Sequence, residues 1–370
     1  MRICVLCPNL GLVYRGAERF VEDIYNYLSK KYSLDVYSLG DFVFNDKKKT
    51  IKINGSNQPS APKFFPLFIK YFIESFYFCK NWFKFVIKKN KKYDLIINNA
   101  GIPGSYFCSK YRKIFLTPYI TICQGGREEI FNTLFKPNYL VVLNSQIENL
   151  FKKISNFFSY DKKRIIKIPH AIDVNFFSKI NNKILRKVIE KYDLKNIERP
   201  IIFSSNALVP FKRNDLLIKA CSLLKKCTLI ICGTGSEKDK ILKMGKCFLG
   251  NRFRYLGVIK DKEELKALYH LCDVFSLASK REPFGITYLE AMAANKPIVT
   301  QKDLSRKEII GKAGILIDCK NIKEYAKALN LAFKKNFRKY PFLQAKKFDY
   351  KKVFLKYERL ISLLKNEKNK

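Results

Sequence analysis

Short, uninterrupted apolar runs recur along this chain, each closed by a loop and followed by residues with helical spacing. Arg2 to Leu6, Asp94 to Asn98, Pro118 to Cys123, Tyr139 to Leu143, Ile201 to Ser205, the run CTLIIC ending at Cys232, Val274 to Leu277 and Ile298 to Thr300 are of this kind. Continuous rather than alternating apolar character means a strand buried on both faces, which is the signature of a parallel sheet. Parallel neighbours require long crossovers, so the helices between the runs are part of the same constraint. At 370 residues the chain exceeds one typical α/β domain and suits two.

Read in order, Arg2 to Leu6 leads into PNLGLVYRGAERFVEDIYNYLSKKY, where Gly11 and Gly16 allow a close-approach loop. Phe20, Ile24, Tyr27 and Leu28 then follow at helical spacing, and Ser33 to Leu39 forms the next strand. This is a βαβ unit without the dinucleotide fingerprint G-x-G-x-x-G, so a nicotinamide enzyme is not supported. The strands that follow end at the Gly101–Gly104 loop, at Gln124-Gly125-Gly126-Arg127-Glu128-Glu129 and at Asn144-Ser145; a further strand, Ile165 to Ile168, runs into PHAIDVNFF. Ligands of such sheets bind beyond the carboxyl ends of the strands, so the loops at Gly16, Gly101, Gln124 and Asn144 line one mouth. A charged helix over 178–199 precedes a second series of strands, including Phe253 to Leu256 before Gly257-Val258 and a closing strand at Ile315 to Ile317. Lysine-rich helices from Lys323 to Lys365 complete it. The fold class expected is α/β, with two Rossmann-like doubly wound domains facing across a cleft.

The charge balance narrows the partners. With 72 Lys and Arg against 32 Asp and Glu, the net charge is +40. Phosphorylated substrates, an anionic membrane surface or nucleic acid would each complement it. The lysines are spread along the whole chain and no nucleic-acid-binding motif accompanies them, which disfavours nucleic acid. Residues 59–89 are crowded with Phe, Tyr and Trp and punctuated by Lys63, Lys70, Lys80, Lys84, Lys88 and Lys89. Two readings compete there: a pair of buried helices, or a basic–aromatic face resting on a membrane. The 11 cysteines are scattered singly through apolar runs and read as free thiols of a reducing cytosol. Cys4 and Cys7 lie in the first strand, where alternating side chains do not both point at one metal, no second pair completes a site, and no metal site is expected. No signal peptide is expected ahead of the first strand, and no apolar run reaches the length needed to span a membrane.

The densest stretch is Leu271 to Thr300. Strand Val274 to Leu277 enters a polar loop with Lys280, Arg281, Glu282 and Pro283, and a helix follows from about Gly285 to Ala294. The N–H groups of Gly285, Ile286 and Thr287 at its start are predicted to face an anion, between carboxylates Glu282 and Glu290.

EPFGITYLEAMAANKPIV (282–299), together with RGAERFVEDI, IPHAIDVNFF, LVPFKRNDLLIKA, FRYLGVI, the spaced EII, G and IL of 308–316 and KKFDYKKV (346–353), resembles the retaining glycosyltransferases of group 1 (GT4), which have the GT-B fold. The resemblance implies domains at 1–170 and 171–349, with a C-terminal helix of about 350–370 packed back on the first. It implies that Lys212 neutralises the donor's diphosphate and that Glu282 lies beside the transferred sugar. Glu290 would accept the ribose hydroxyls, Gly285, Ile286 and Thr287 would bind the distal phosphate, Gly16 would approach that phosphate from the first domain, and Gly257 and Val258 would edge the base. Three departures stand out. Ala207, beside Asn206, occupies the place of an arginine, for which Arg213 would compensate. Gln124 stands where a histidine is usual near the acceptor, and Arg15 precedes Gly16 where a second glycine is usual. His170 replaces an asparagine of the junction motif and, like His270, is read as structural.

The function expected is retaining transfer of a hexose from a UDP- or GDP-linked sugar to a lipid-linked or envelope glycan, in the cytoplasm or peripherally at the inner membrane face. The donor is a substrate, and no cofactor is implied. The competing classes are another GT-B enzyme, such as a phosphorylase or epimerase, and a catalytically weakened nucleotide-sugar or polyanion-binding protein.

Overall fold

The computed structural model describes residues 1–13, 16–53 and 67–368. The chain divides into two compact units, Met1–Ala171 with Lys351–Lys370, and Ile172–Tyr350. Each is an α/β layer structure around one parallel sheet.

In the first unit the strands are β1 (Arg2–Leu6), β2 (Ser33–Ser38), β3 (Ile51–Lys52), β4 (Leu95–Asn98), β5 (Tyr119–Ile122), β6 (Tyr139–Val142) and β7 (Ile165–Lys167). Their spatial order is β3-β2-β1-β4-β5-β6-β7, with every neighbouring pair parallel. The order reverses between β1 and β4, where crossovers leave toward opposite sides and open a crevice at the strands' carboxyl ends. The second unit holds β8 (Ile201–Ser205), β9 (Thr228–Cys232), β10 (Phe253–Tyr255), β11 (Val274–Leu277), β12 (Ile298–Gln301) and β13 (Gly314–Ile317), in the order β10-β9-β8-β11-β12-β13. Its reversal falls between β8 and β11, where Phe203 lies opposite Phe275 and residues 206 and 278 leave the sheet at one level.

The aromatic segment 59–89 resolves in favour of the core over its described part. A single helix, Leu67–Lys88, buries Phe78, Cys79, Trp82 and Val86 against Tyr37, Ile96, Phe107 and Tyr111 of the first unit. Each large apolar side chain buried there contributes roughly 1.5–3 kcal/mol. Of its large apolar side chains from residue 69 on, only Phe72 is exposed, so this helix offers no broad basic–aromatic face. Residues 54–66, including Lys63, lie outside the described residues. The short strand β3 was not anticipated, because two residues carry no periodicity.

The helix Tyr350–Lys368 packs in the first unit on the helix Gly16–Leu28, with Phe354 and Tyr357 ring centroids 6.5 and 5.7 Å from that of Phe20. His170 meets Phe20 edge-on at 5.4 Å and is 4 % exposed. Burial pushes its pKa down to about 3, so the folded chain holds it neutral. Below about pH 6.5 the unfolded chain binds a proton that the folded one refuses, and stability falls with pH toward 3 at up to about 1.4 kcal/mol per unit. Denaturant unfolding of wild type and His170→Asn between these limits is therefore expected to give curves that converge as pH falls. Parallel curves would contradict it.

Candidate functional site

The second unit's site is built where the chain leaves β8 and β11. After β8 the segment 206–213 closes in one 3-10 turn, Pro210–Lys212, with proline at the first position, where no N–H is needed. Arg213 then adopts φ 51°, a left-handed conformation that turns the chain directly into the helix Asn214–Ser222. After β11 the loop 278–284 ends at Gly285, φ 88°, which opens the helix Ile286–Ala293. A Cβ on Gly285 would lie 2.4 Å from the Tyr288 ring, so both backbone and space require glycine here.

Two bonds stitch these loops together. The Lys280 N–H donates to the Phe211 carbonyl at 2.7 Å, and Arg213 Nε donates to the Ala278 carbonyl at 2.6 Å. The stitching brings Lys212 Nζ to 2.5 Å from Glu282 Oε2, with the two side chains 15 % and 10 % exposed. From beneath, the wholly buried Arg306 donates to the Ser279 carbonyl at 2.7 Å and to Tyr288 Oη at 3.2 Å, while pairing with Asp303. The first-turn N–H groups around Gly285, Ile286 and Thr287 have no intrahelical acceptor and carry the helix's positive end. The Lys212 cation, the Glu282 carboxylate and this helix start thus meet at one switch point. The arrangement suits an anionic group carrying a polar substituent.

Glu290 lies one further turn along the same helix. It is wholly buried, and Tyr269 Oη donates to its Oε2 at 2.5 Å. Tyr269 is itself fixed among Phe203, Phe275 and Phe177. Reaching this carboxylate requires side chains around it to move. Arg213 does not join Lys212: its guanidinium is held by Ala278 and by Gln301 Oε1 at 2.8 Å, and it borders a depression of about 480 Å³ shared with Lys280, Lys302 and Lys320. Asn206 is engaged in a reciprocal amide pair with Asn214, at 2.9 and 3.1 Å, and in a bond to Ser204. Gly257, φ 70°, accepts from the Gly233 N–H at 2.7 Å beyond β10, and Val258 after it is 52 % exposed. His270 Nε2 lies 2.8 Å from the Phe177 carbonyl and therefore carries the ring proton, while burial lowers its pKa.

In the first unit Gly16 begins the helix Gly16–Leu28, whereas Arg15 lies outside the described residues. Gln124 follows β5, and its Nε2 donates to Asn99 Oδ1 at 2.5 Å. Asn99 follows β4 and reaches the Ala17 carbonyl with its own amide at 3.5 Å. One buried side chain therefore links the Gly16 helix start to the Gln124 loop at this sheet's switch point. Beside it, Glu129 Oε2 accepts from the Gly125 N–H at 3.3 Å. Burial of the carboxyl outweighs that bond and lifts its pKa to about 8, so it is largely protonated at neutral pH.

Sequence reasoning missed Asn99, Tyr269 and Arg306. Each stands in an ordinary strand-end or helix context, and only the fold shows what it touches. Among the described residues no group of three or more His, Cys, Asp or Glu side chains is placed to hold a metal ion, and ten of the eleven free cysteines are buried.

Residues 186–348 match the family "Glycosyl transferases group 1". Mannosylfructose-phosphate synthase of Agrobacterium fabrum is 27 % identical over 154 residues, 37 % of this chain and 32 % of that protein. The chain spans about a third to a half of the length of the first curated relatives it matches. Sucrose-phosphate synthase from Thermosynechococcus elongatus superposes with a TM-score of 0.80 at 16 % identity, over 99 % of both chains. HepE from Anabaena, solved with UDP and glucose, gives 0.75 at 18 % identity over 98 % and 99 %. The fold is GT-B.

The Lys212–Glu282 pair is expected to be strongly coupled. Replacing either partner alone leaves a largely buried charge beside the other loop, at a cost of about 1–3 kcal/mol. A double-mutant cycle with Lys212→Met and Glu282→Gln, read by denaturant unfolding, should give a coupling energy of roughly 1–3 kcal/mol. Additive effects would mean that the two loops do not depend on the pair.

Proposed function

We propose that the protein is a retaining hexosyltransferase that takes its sugar from a UDP- or GDP-linked donor. The observation that carries this reading is the Lys212–Glu282 pair beside the open helix start at Gly285, the arrangement a diphosphate leaving group requires. Lys212 binds the diphosphate together with the N–H groups of Gly285, Ile286 and Thr287, and Glu282 contacts the sugar. Glu290 receives the ribose hydroxyls once the side chains over it shift, with Tyr269 fixing its orientation. Gly257 and the exposed Val258 border the base. Gln124 stands on the acceptor side, and Arg213 and Asn206 hold the Lys212 loop in shape. HepE, with UDP in its structure, supports a nucleotide donor for this fold.

The bond from the anomeric carbon to the diphosphate breaks as the bond to the acceptor oxygen forms. Negative charge grows on the leaving group, and preorganised donors stabilise it most where it grows. Gln124 cannot take a proton at neutral pH, so the departing diphosphate oxygen receives the acceptor's. No side chain is needed as a covalent nucleophile, and the paired-carboxylate scheme of glycosidases does not suit Glu290, which lies on the nucleotide side. The acceptor we favour is a lipid-linked or envelope glycan, handled by a peripheral protein at the inner membrane face. No helix among the described residues is long and apolar enough to cross a membrane.

One competing reading makes Glu290 purely structural, since it is buried and bonded to Tyr269. A screen of UDP-, GDP- and ADP-sugars with product-anomer analysis should find turnover with one donor and a retained configuration. Lys212→Ala should lower kcat about 10²–10³-fold. Glu290→Gln should weaken nucleotide binding at least tenfold; a lower Tm with unchanged affinity would favour the structural role. Failure of all three donors to turn over or bind would sink the enzyme reading.

A further inference from the structure

The most exposed large apolar side chain of the described residues is Phe157, 88 % exposed. It sits on the 3-10 turn Ser155–Phe158, and Phe158 carries its ring on to Phe131, with centroids at 5.4 and 5.8 Å. Phe131 and Leu134 are 45 % and 53 % exposed on the 3-10 helix Arg127–Phe135. Three residues apart, they stand one above the other on a helix of that type.

This apolar surface is held outward by what lies beneath it. Ile130, just before the exposed pair, and Asn132 and Thr133, between its members, are buried. Asn132 is bonded to Ser105 Oγ at 2.7 Å and to the Glu129 carbonyl at 2.7 Å, in a buried network that continues to Asn98 and Thr121. Around Phe157, Ser155 and Tyr160 are buried, and Tyr160 Oη donates to the Pro137 carbonyl at 2.9 Å. Lys136 Nζ ties the two turns together through the carbonyls of Phe158 and Ser159. Rotating either turn inward would break buried polar bonds, so the aromatic rings are fixed in solvent at a standing cost.

The rim is basic. Lys153 precedes Phe157, Lys162 and Lys163 follow it, and all three are exposed. Glu128, Asp161 and Glu367 are exposed acids on neighbouring stretches; Asp161 caps the Lys163 N–H at 2.8 Å, and Glu367 lies 3.9 Å from Arg164. Aromatic and apolar side chains that enter the headgroup region, within a ring of lysines, complement a negatively charged lipid surface. Duplex nucleic acid would use the lysines but has no place for Phe157 and Leu134, and a protein partner would not call for the lysine rim.

We propose that Phe131, Leu134 and Phe157, with Lys153, Lys162 and Lys163, form a face that docks the first unit on anionic phospholipid. The face starts where the Gln124–Glu129 loop ends, so it presents the acceptor side of the chain to the bilayer. Its purpose rests on the lipid-linked-acceptor reading above; its binding does not.

Co-sedimentation of the full chain with vesicles tests it, using phosphatidylcholine alone and phosphatidylcholine with phosphatidylglycerol at about 3:1. At low salt the chain should partition at least about tenfold more strongly onto the anionic vesicles, and about 0.5 M salt should weaken this. Phe131→Ser with Leu134→Ser and Phe157→Ser should lower partitioning at least about tenfold, as should Lys153→Glu with Lys162→Glu and Lys163→Glu. All of these side chains are exposed, so both variants should keep the wild-type Tm and nucleoside-diphosphate affinity. Equal binding to neutral and anionic vesicles, unchanged binding by either variant, or self-association through Phe157 without vesicle binding would overturn the proposal. Vesicle binding by a chain that neither turns over nor binds any nucleotide sugar would leave this face standing and remove the enzymatic reading instead.

Discussion

The second unit's site depends on two loops from adjacent parallel strands being held at one level. The register of β8 against β11 sets that level, and the main-chain bond from Lys280 to Phe211 and the Arg213–Ala278 bond close the gap. Without them Lys212 and Glu282, 70 residues apart in sequence, would have no reason to meet. With them, an ion pair forms that is largely withdrawn from water, where its strength is least screened. Arg306 adds a third support from beneath, spending a buried guanidinium on the Ser279 carbonyl. The cost of burying these charges is offset only while every partner is in place.

The first unit repeats the same logic with neutral groups. Its strand order also reverses, between β1 and β4, and there too the loops beyond the strands are linked by a side chain, Asn99. Beneath lies a buried polar network of Asn98, Ser105, Thr121 and Asn132. It fixes the Gln124 loop and, one helical stretch later, the exposed aromatic face. The two units thus place charge at one switch point and hydrogen-bonding amides at the other.

Much of this was legible in the sequence, for a physical reason. Strands buried on both faces must be continuously apolar, so Arg2–Leu6, Ile201–Ser205 and Val274–Leu277 announce themselves, and glycine before Ile286 marks a backbone only glycine accepts. The EPFGITYLE stretch identified the loop and the carboxylates. What could not be read was partnership. Arg213 looked available to the donor site, yet its guanidinium is held by Ala278 and Gln301. Asn206 turned out to pair with Asn214. The aromatic run over 59–89 looked as much like a surface as a core, because composition does not say which side of a helix meets a sheet; its described part is core. The exposed aromatic face lay instead in FFS and FNTLF, too short to show any period.

The central claim is that Lys212 binds a diphosphate. The most direct measurement is the ratio of nucleoside-diphosphate to nucleoside-monophosphate affinity, by calorimetry, for wild type and Lys212→Ala. The account predicts that the wild-type chain prefers the diphosphate and that the variant loses at least about tenfold of that preference while keeping its affinity for the monophosphate. An unchanged ratio would contradict it.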